Sequence, residues 1–200
     1  MNKYYDSNLE KQLKNLIGKP NFDEWLSIVK PILLHDEFQR RKLFRHHDSS
    51  VWNHCINVSF NSFNIAKKNN LDGYTCAVAG LLHDFYPYAY KYDKELEKLD
   101  KEYMKIVGKK IKLRQQHGFV HAHEAAMNAI KFFPGMVNNK VISCIETHMF
   151  PLNIKPPKYK EGWIITYVDK KVSFEVVKEI KYIPSLITKK AISNMKYYKI

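Results

Sequence analysis

A chain of 200 residues has room for one ordinary domain with its own core, and not for two independent ones. With 45% hydrophobic and 26% charged residues it has the balance of a globular protein, which excludes a disordered or fibrous chain. Its net charge of +13 draws anions toward the surface, whether nucleic acid, acidic membrane or phosphorylated metabolites, without choosing among them.

Much of that excess is lysine spread along the chain, as in Lys67-Lys68, Lys109-Lys110 and Lys189-Lys190. No apolar run approaches the roughly 18 residues that cross a bilayer, and the N-terminal stretch MNKYYDSNLEKQLKN lacks the apolar core of a secretory signal. A cytoplasmic location with no membrane partner is expected. Cys55, Cys76 and Cys144 are an odd number without C-x-x-C spacing, so they suggest neither a disulfide framework nor a cysteine zinc site.

Apolar residues recur at helical spacing almost throughout, few glycines interrupt them, and no Asn-Gly turn appears, so the fold class is all-α. In chain order, helices are predicted over residues 7–17 and 22–38, the second bent at Pro31, forming an N-terminal cap over residues 1–43. After a basic loop from Arg40 to His47, Asp48-Ser49-Ser50 offers N-caps for a central helix from Val51 to about Lys68. Asp72-Gly73 opens the next helix, whose apolar run Ala77–Leu82 ends in His83-Asp84, with Pro87 turning the chain. The mixed-charge segment from Asp93 to Arg114, with pairs such as Glu97 and Lys101, reads as a solvated helix. Helices over residues 123–133, 138–149, 161–182 and 184–198 complete the chain, with a loop between Pro151 and Pro157.

Several metal-ligating residue types fall on apolar faces. Asp169 follows Val168, lies one turn after Ile165 and precedes Val172 and Val176 by three and seven positions, which puts its carboxylate on the buried stripe of its helix. A buried charge persists only when it is paired, hydrogen-bonded or bound to a metal. The same holds for His83-Asp84, which ends a run too apolar for a surface helix. His148 stands one turn after Cys144, and His54 one turn before Val58. A lone histidine on an apolar face is more often a hydrogen-bonded core residue than a ligand; five such groups on four helices are harder to explain that way.

The order His54, His83-Asp84, Asp169, in the contexts VWNHCINVSF, VAGLLHDFY and IITYVDKKVS, resembles the H…HD…D signature of the HD superfamily of metal-dependent phosphohydrolases. The resemblance covers roughly residues 44–180. The stretches HHDSSVWNHC, HGFVHAHEAAMNA, ETHMFPL and PPKYKEGWIITYVDKKVS are similar to an uncharacterised bacterial subgroup of HD-domain proteins. It implies a compact helical bundle in one HD domain over residues 1–200, with a core over about 44–180. It also implies one or two divalent transition-metal ions held by His54, His83, Asp84 and Asp169, with His121 and His148 holding a second ion.

His121 and His123 are two positions apart and point away from each other on a helix, so only one can take part; the resemblance favours His121. Imidazole with carboxylate suits iron, manganese, cobalt, nickel or zinc better than calcium. Asp84 is expected at the centre of a phosphohydrolase site acting on a nucleotide or another small phosphorylated compound. Basic groups nearby, Lys170 beside the last ligand, Arg45, His46 or His47 before the first, and His117, are candidates for holding the anionic substrate. The HD-GYP pattern is lacking, which weighs against cyclic di-GMP as substrate. Two other functions compete: an HD-type di-iron oxygenase, and a non-enzymatic basic helical module that binds nucleic acid, for which no recognition motif is present.

Overall fold

The computed structural model describes residues 9, 11–42, 44–46, 49–87 and 117–179. Six stretches have helical order long enough to name here: α1 (Phe22–Leu33), α3 (Val51–Lys68), α4 (Gly73–Leu82), α5 (His117–Phe132), α6 (Asn139–Thr147) and α7 (Lys160–Glu179), with a four-residue α2 (Asp36–Gln39) after the first. The predicted helices over residues 93–114 and 184–198, and His47, lie outside the described residues. The only pairing of strands among the described residues is a two-residue antiparallel ladder, Arg45↔Ser50 and His46↔Ser49, where a basic loop was expected. The all-α expectation otherwise holds.

The expected single helix over residues 22–38 is two. α1 ends at Leu33, and His35 takes an extended conformation (φ −74°, ψ 129°) that restarts the chain as α2. The break lies beyond Pro31, which stays inside α1. What ends the helix is His35 acting as an N-cap, its Nδ1 accepting from the Glu37 N–H at 3.2 Å. α1 buries Trp25, Val29, Ile32 and Leu33, spaced by four, three and one, which is one helical face. Trp25 Nε1 donates to Ser59 Oγ at 2.9 Å, and Ser59 Oγ donates to the Ala77 carbonyl at 2.6 Å, so one hydroxyl ties α1, α3 and α4 together.

α3 starts where Ser50 was expected to cap it, with its side chain accepting from Asn53 N–H. It is buried on most sides, through Trp52, Ile56, Phe60 and Phe63 on one face and Val51, Cys55 and Val58 on another. Fully burying each such side chain contributes about 1.5–3 kcal/mol. Its closest neighbour is α4. Asp72 caps α4 by accepting from the N–H and hydroxyl of Thr75 at 3.0 and 2.7 Å, and every residue from Thr75 to Leu82 is buried.

The close approach of the two helices needs Gly80, since a Cβ there would lie 2.9 Å from the Ser59 Cα. α7 packs across α3, and α6 against α4, α5 and α7. Lys140 near the start of α6 bridges Asp72 Oδ2 at 3.1 Å and Glu161 Oε1 at 3.0 Å, while Glu161 Oε1 also accepts from the Asp72 N–H. The starts of α4, α6 and α7 are thus held at one point, on the side of the molecule away from the C-terminal end of α4.

Among the described residues no helix is long and apolar enough to cross a membrane.

Candidate metal centre

The end of α4 is where the polar groups meet. The apolar run buries α4 on all sides, so the two residues that follow it, His83 and Asp84, are carried into the interior with it and are almost fully buried. His54 reaches the same point from the first turn of α3, His121 from α5, His148 from the end of α6, and Asp169 from the inner face of α7. All six groups expected from the sequence converge, and all are buried.

His54 Nε2 lies 2.9 Å from Asp169 Oδ1 and 3.2 Å from His83 Nε2. His83 Nε2 is 3.5 Å from Asp169 Oδ1 and 3.6 Å from Asp84 Oδ2, and His54 Nε2 is 4.0 Å from the same Asp84 oxygen. On the other side of Asp84, Oδ1 is 3.4 Å from His121 Nε2 and 3.7 Å from His148 Nε2, and those two nitrogens are 3.2 Å apart. The Asp84 carboxylate therefore turns one oxygen toward each of two neighbouring donor sets.

These separations are those of ligands around an ion. Donors held about 2.1 Å from a metal lie about 3.0 Å apart at right angles and about 3.4 Å apart at the tetrahedral angle. Two histidines are also fixed in the tautomer a metal needs. His83 Nδ1 lies 2.8 Å from the Gly80 carbonyl and His148 Nδ1 lies 2.7 Å from the Ile145 carbonyl. A carbonyl only accepts, so each Nδ1 carries the proton and each neutral ring turns the lone pair of Nε2 inward.

For His83 that lone pair faces carboxylate oxygens of Asp84 and Asp169, acceptor against acceptor, unless a cation lies between. Burial opposes a charge on the ring, but the Asp84 carboxylate, with the hydrogen bond to Asp169 and its charge, prevails and pushes the His83 pKa up to about 9. A proton thus takes the cation's place when no ion is bound. His148 goes the other way, down to about 3, because burial and the nearby His83 and His121 all disfavour its charged form. Burial pushes the Asp84 carboxyl up, but the surrounding imidazoles, His83 first, hold it well below its ordinary value, and Asp169 is held low by its hydrogen bonds to His54 and His83.

The rival His123 is two-thirds exposed and pairs with Glu146 at 3.2 Å, so it takes no part in the cluster. His117 is the first residue of α5, which starts six residues earlier than expected and places His121 inside the helix instead of at its opening; the side chains of His117, Arg45 and His46 lie outside the description. Lys170 borders the cluster, its Nζ donating to the carbonyls of His148 (3.3 Å) and Thr166 (3.5 Å). Its pKa is lowered by burial against the opposing pull of Asp169. The Cys55 thiol is pushed well up, first by burial and then by Asp84, and stays protonated.

One contributor escaped the sequence reading. Asn128 on α5 is buried and donates from Nδ2 to the Phe85 carbonyl at 2.8 Å, pinning the chain as it leaves the His83-Asp84 pair. Its signal was available, a single amide among Ala125, Ala126 and Ala129 on an otherwise apolar face.

Comparison with protein-family models, with curated proteins and with solved structures gives no match to this chain.

Proposed function

We propose that the chain is a metal-dependent phosphohydrolase of the HD type, with His54, His83, Asp84 and Asp169 holding one divalent ion and Asp84, His121 and His148 a second. The observation that carries this reading is the divided Asp84 carboxylate, one oxygen facing each of two donor sets whose members lie at ligand-to-ligand distances. Imidazole and carboxylate together favour a transition metal over calcium. When bound, such an ion supplies an acidified water as nucleophile and offsets the charge growing on phosphoryl oxygens.

The chain's own residues do the rest. The Gly80 and Ile145 carbonyls keep the His83 and His148 rings oriented, Asn128 holds the doublet in place, and the near-complete burial of the cluster keeps bulk water from competing for the donors. Lys170, which lines a pocket with Asp169 at the edge of the cluster, would draw a phosphoryl group toward the bound ion, and its position there supports the reading. The three-ligand set, being short of a full coordination sphere, leaves room for water or substrate.

The same bridged arrangement also suits two irons that activate oxygen, which keeps an oxygenase as the second reading. Metal analysis of the purified protein, followed by a screen of phosphorylated metabolites against wild type and Asp84→Ala, tests the proposal. Bound metal with hydrolysis that Asp84→Ala abolishes is the expected result. Hydrolysis unchanged after loss of the metal refutes it, and oxygen uptake by an iron-loaded form would turn the reading to the oxygenase.

A further inference from the structure

Between residues 149 and 173 every charged side chain that faces solvent is a lysine. Lys155, Lys158, Lys160 and Lys171 are exposed, whereas the two carboxylates of the same stretch, Glu161 and Asp169, are buried in the contacts already described. Large apolar groups stand in the open among those lysines. Trp163 and Tyr167 are 47% and 60% exposed, and Leu152 and Ile154, in the turn after α6, are 45% and 90% exposed. Lys160, Trp163, Tyr167 and Lys171 follow one another by three, four and four residues, so they share one line along α7. Phe150 packs edge-on against Trp163 with ring centroids 5.3 Å apart, which brings the turn alongside that line. The turn and the helix thus present one face that carries both apolar groups and cations. Apolar groups gathered in this way mark a surface that meets a partner.

We infer that this face docks on the surface of an anionic lipid bilayer, with Trp163, Tyr167, Leu152 and Ile154 entering the headgroup layer and the lysines meeting lipid phosphates. Tryptophan and tyrosine settle at that depth because each is an apolar ring with one polar atom. A protein held at a membrane surface needs both apolar burial and attraction to anionic lipid, and this face supplies both. Other occupants fit it less well. A second copy of the chain, related by a two-fold axis, would set the lysines of one face against those of the other with no exposed carboxylate of this stretch to offset them. A single-stranded nucleic acid would use the aromatic rings and the lysines, but it gains no stacking from Leu152 and Ile154. Ile154 stands almost clear of the protein, and a fluid phase closes round such a group where a folded partner would need a matching pocket. The lack of a spanning run bears on crossing a bilayer and not on lying against one. None of these residues belongs to the metal cluster, so the inference stands apart from the phosphohydrolase reading.

The test is co-sedimentation of the full chain with vesicles of phosphatidylcholine, alone or mixed with phosphatidylglycerol, read together with tryptophan emission. Of the three tryptophans Trp25 and Trp52 are buried, so a change in emission on mixing reports Trp163. Vesicles that contain phosphatidylglycerol are expected to bind at least about tenfold more tightly than phosphatidylcholine alone, and less tightly as salt is raised. Emission from Trp163 should shift to the blue and be quenched by lipids brominated on the acyl chain near the headgroup. Ile154→Ser should weaken binding several-fold, and Lys155→Glu combined with Lys158→Glu at least about tenfold, with denaturation curves as in the wild type because all three side chains are exposed. Equal binding to the two kinds of vesicle overturns the inference, as does failure to bind either. Binding that leaves Trp163 unquenched, or that is indifferent to Ile154→Ser, overturns it too. Two further outcomes would give the face to another occupant and overturn it in the same way: a dimer that Ile154→Ser dissolves, and an oligothymidylate that quenches Trp163 and displaces the protein from the vesicles.

Discussion

Raising the pH on ion-free protein should loosen it in a way that depends on one carboxylate. With no ion present, His83 holds its proton up to about pH 9 in the fold and only to about 6.5 when unfolded, chiefly because Asp84 opposes the cost of burial. A raised pKa contributes stability that is fully present below 6.5 and lost as pH climbs through 9. The whole contribution is on the order of 3 kcal/mol, and about 2 kcal/mol of it disappears between pH 6.5 and 8.5. Other groups change that figure little. Asp84 and Asp169 are ionised in both states there; His148, neutral in the fold and half protonated in the unfolded chain at pH 6.5, adds back about 0.4 kcal/mol as the pH rises, and the buried Cys55, Cys76 and Cys144 thiols, all pushed upward, begin to subtract their own share toward pH 9.

Urea denaturation of chelator-treated protein at the two pH values measures the difference. Asp84→Asn, which keeps the shape and removes the charge, should abolish it. Ion-loaded protein should show the opposite trend, because the ion takes the place of the His83 proton and binds more tightly as protons become scarce. Stability of the ion-free wild type that is flat from pH 6.5 to 8.5, or a slope that persists in Asp84→Asn, refutes the reasoning.

Removing ligands should sort the ions by set. His148→Ala or His121→Ala lowers metal content by one ion and leaves the other, His54→Ala does the reverse, and Asp84→Ala weakens both by more than the roughly 100-fold that loss of a mere supporting group costs, as read by equilibrium dialysis and elemental analysis. Gly80→Ala drives a methyl into the Ser59 backbone, and should cost about 1–3 kcal/mol in denaturation while parting His54 from His83, so that metal affinity falls together with stability. Asn128→Ala leaves the Phe85 carbonyl without its side-chain donor in the interior. It should cost about 1–3 kcal/mol, with a loss of activity at saturating metal that Asn128→Asp does not repair, since a carboxylate cannot donate to a carbonyl. If the basic surface serves nucleic acid instead, binding of a DNA duplex would fall steeply with salt and survive Asp84→Ala.

How much of this was legible in the chain follows from what each signal depends on. Helix starts were readable where a cap is local: Ser50 caps α3 as expected, Asp72 opens α4 as expected, and the helix expected from residue 138 starts one residue later with Asn138 as its cap, each side chain accepting from a backbone N–H two or three residues ahead. The break at His35 was not, because it rests on an imidazole acting as a cap, an uncommon use of that ring. The early start of α5 was hidden for a related reason, since the run HGFVHAHEAAMNA carries no capping residue directly before His117 to mark where it opens. Five members of the cluster were legible because each is a polar group on a stripe of apolar ones. His121 and the division into two sets came only with the family resemblance, because the residues alone do not say which oxygen of Asp84 faces which helix, a fact of tertiary packing. Met149 was expected at the end of a helix and Pro151 and Leu152 in a loop; that these three line a pocket with Asp169 and Lys170 follows only once α6 and α7 are packed together.

That packing also explains why an arrangement so costly in an empty fold is built at the end of α4. Two carboxylates buried among four imidazoles leave a surplus of negative charge that one proton on His83 only halves. Two divalent ions would more than reverse it, leaving a net positive charge in a nearly closed site, and the side that opens does so at Asp169 and Lys170. Among the described residues, the pocket lined by Met149, Pro151, Leu152, Asp169 and Lys170 brings water to its edge. With ions bound, an anion entering there would gain their attraction and that of Lys170 with less screening than at the surface. The +13 of the whole chain draws anions toward the surface in general, whereas the buried donors and Lys170 mark one point at which an anion would be held.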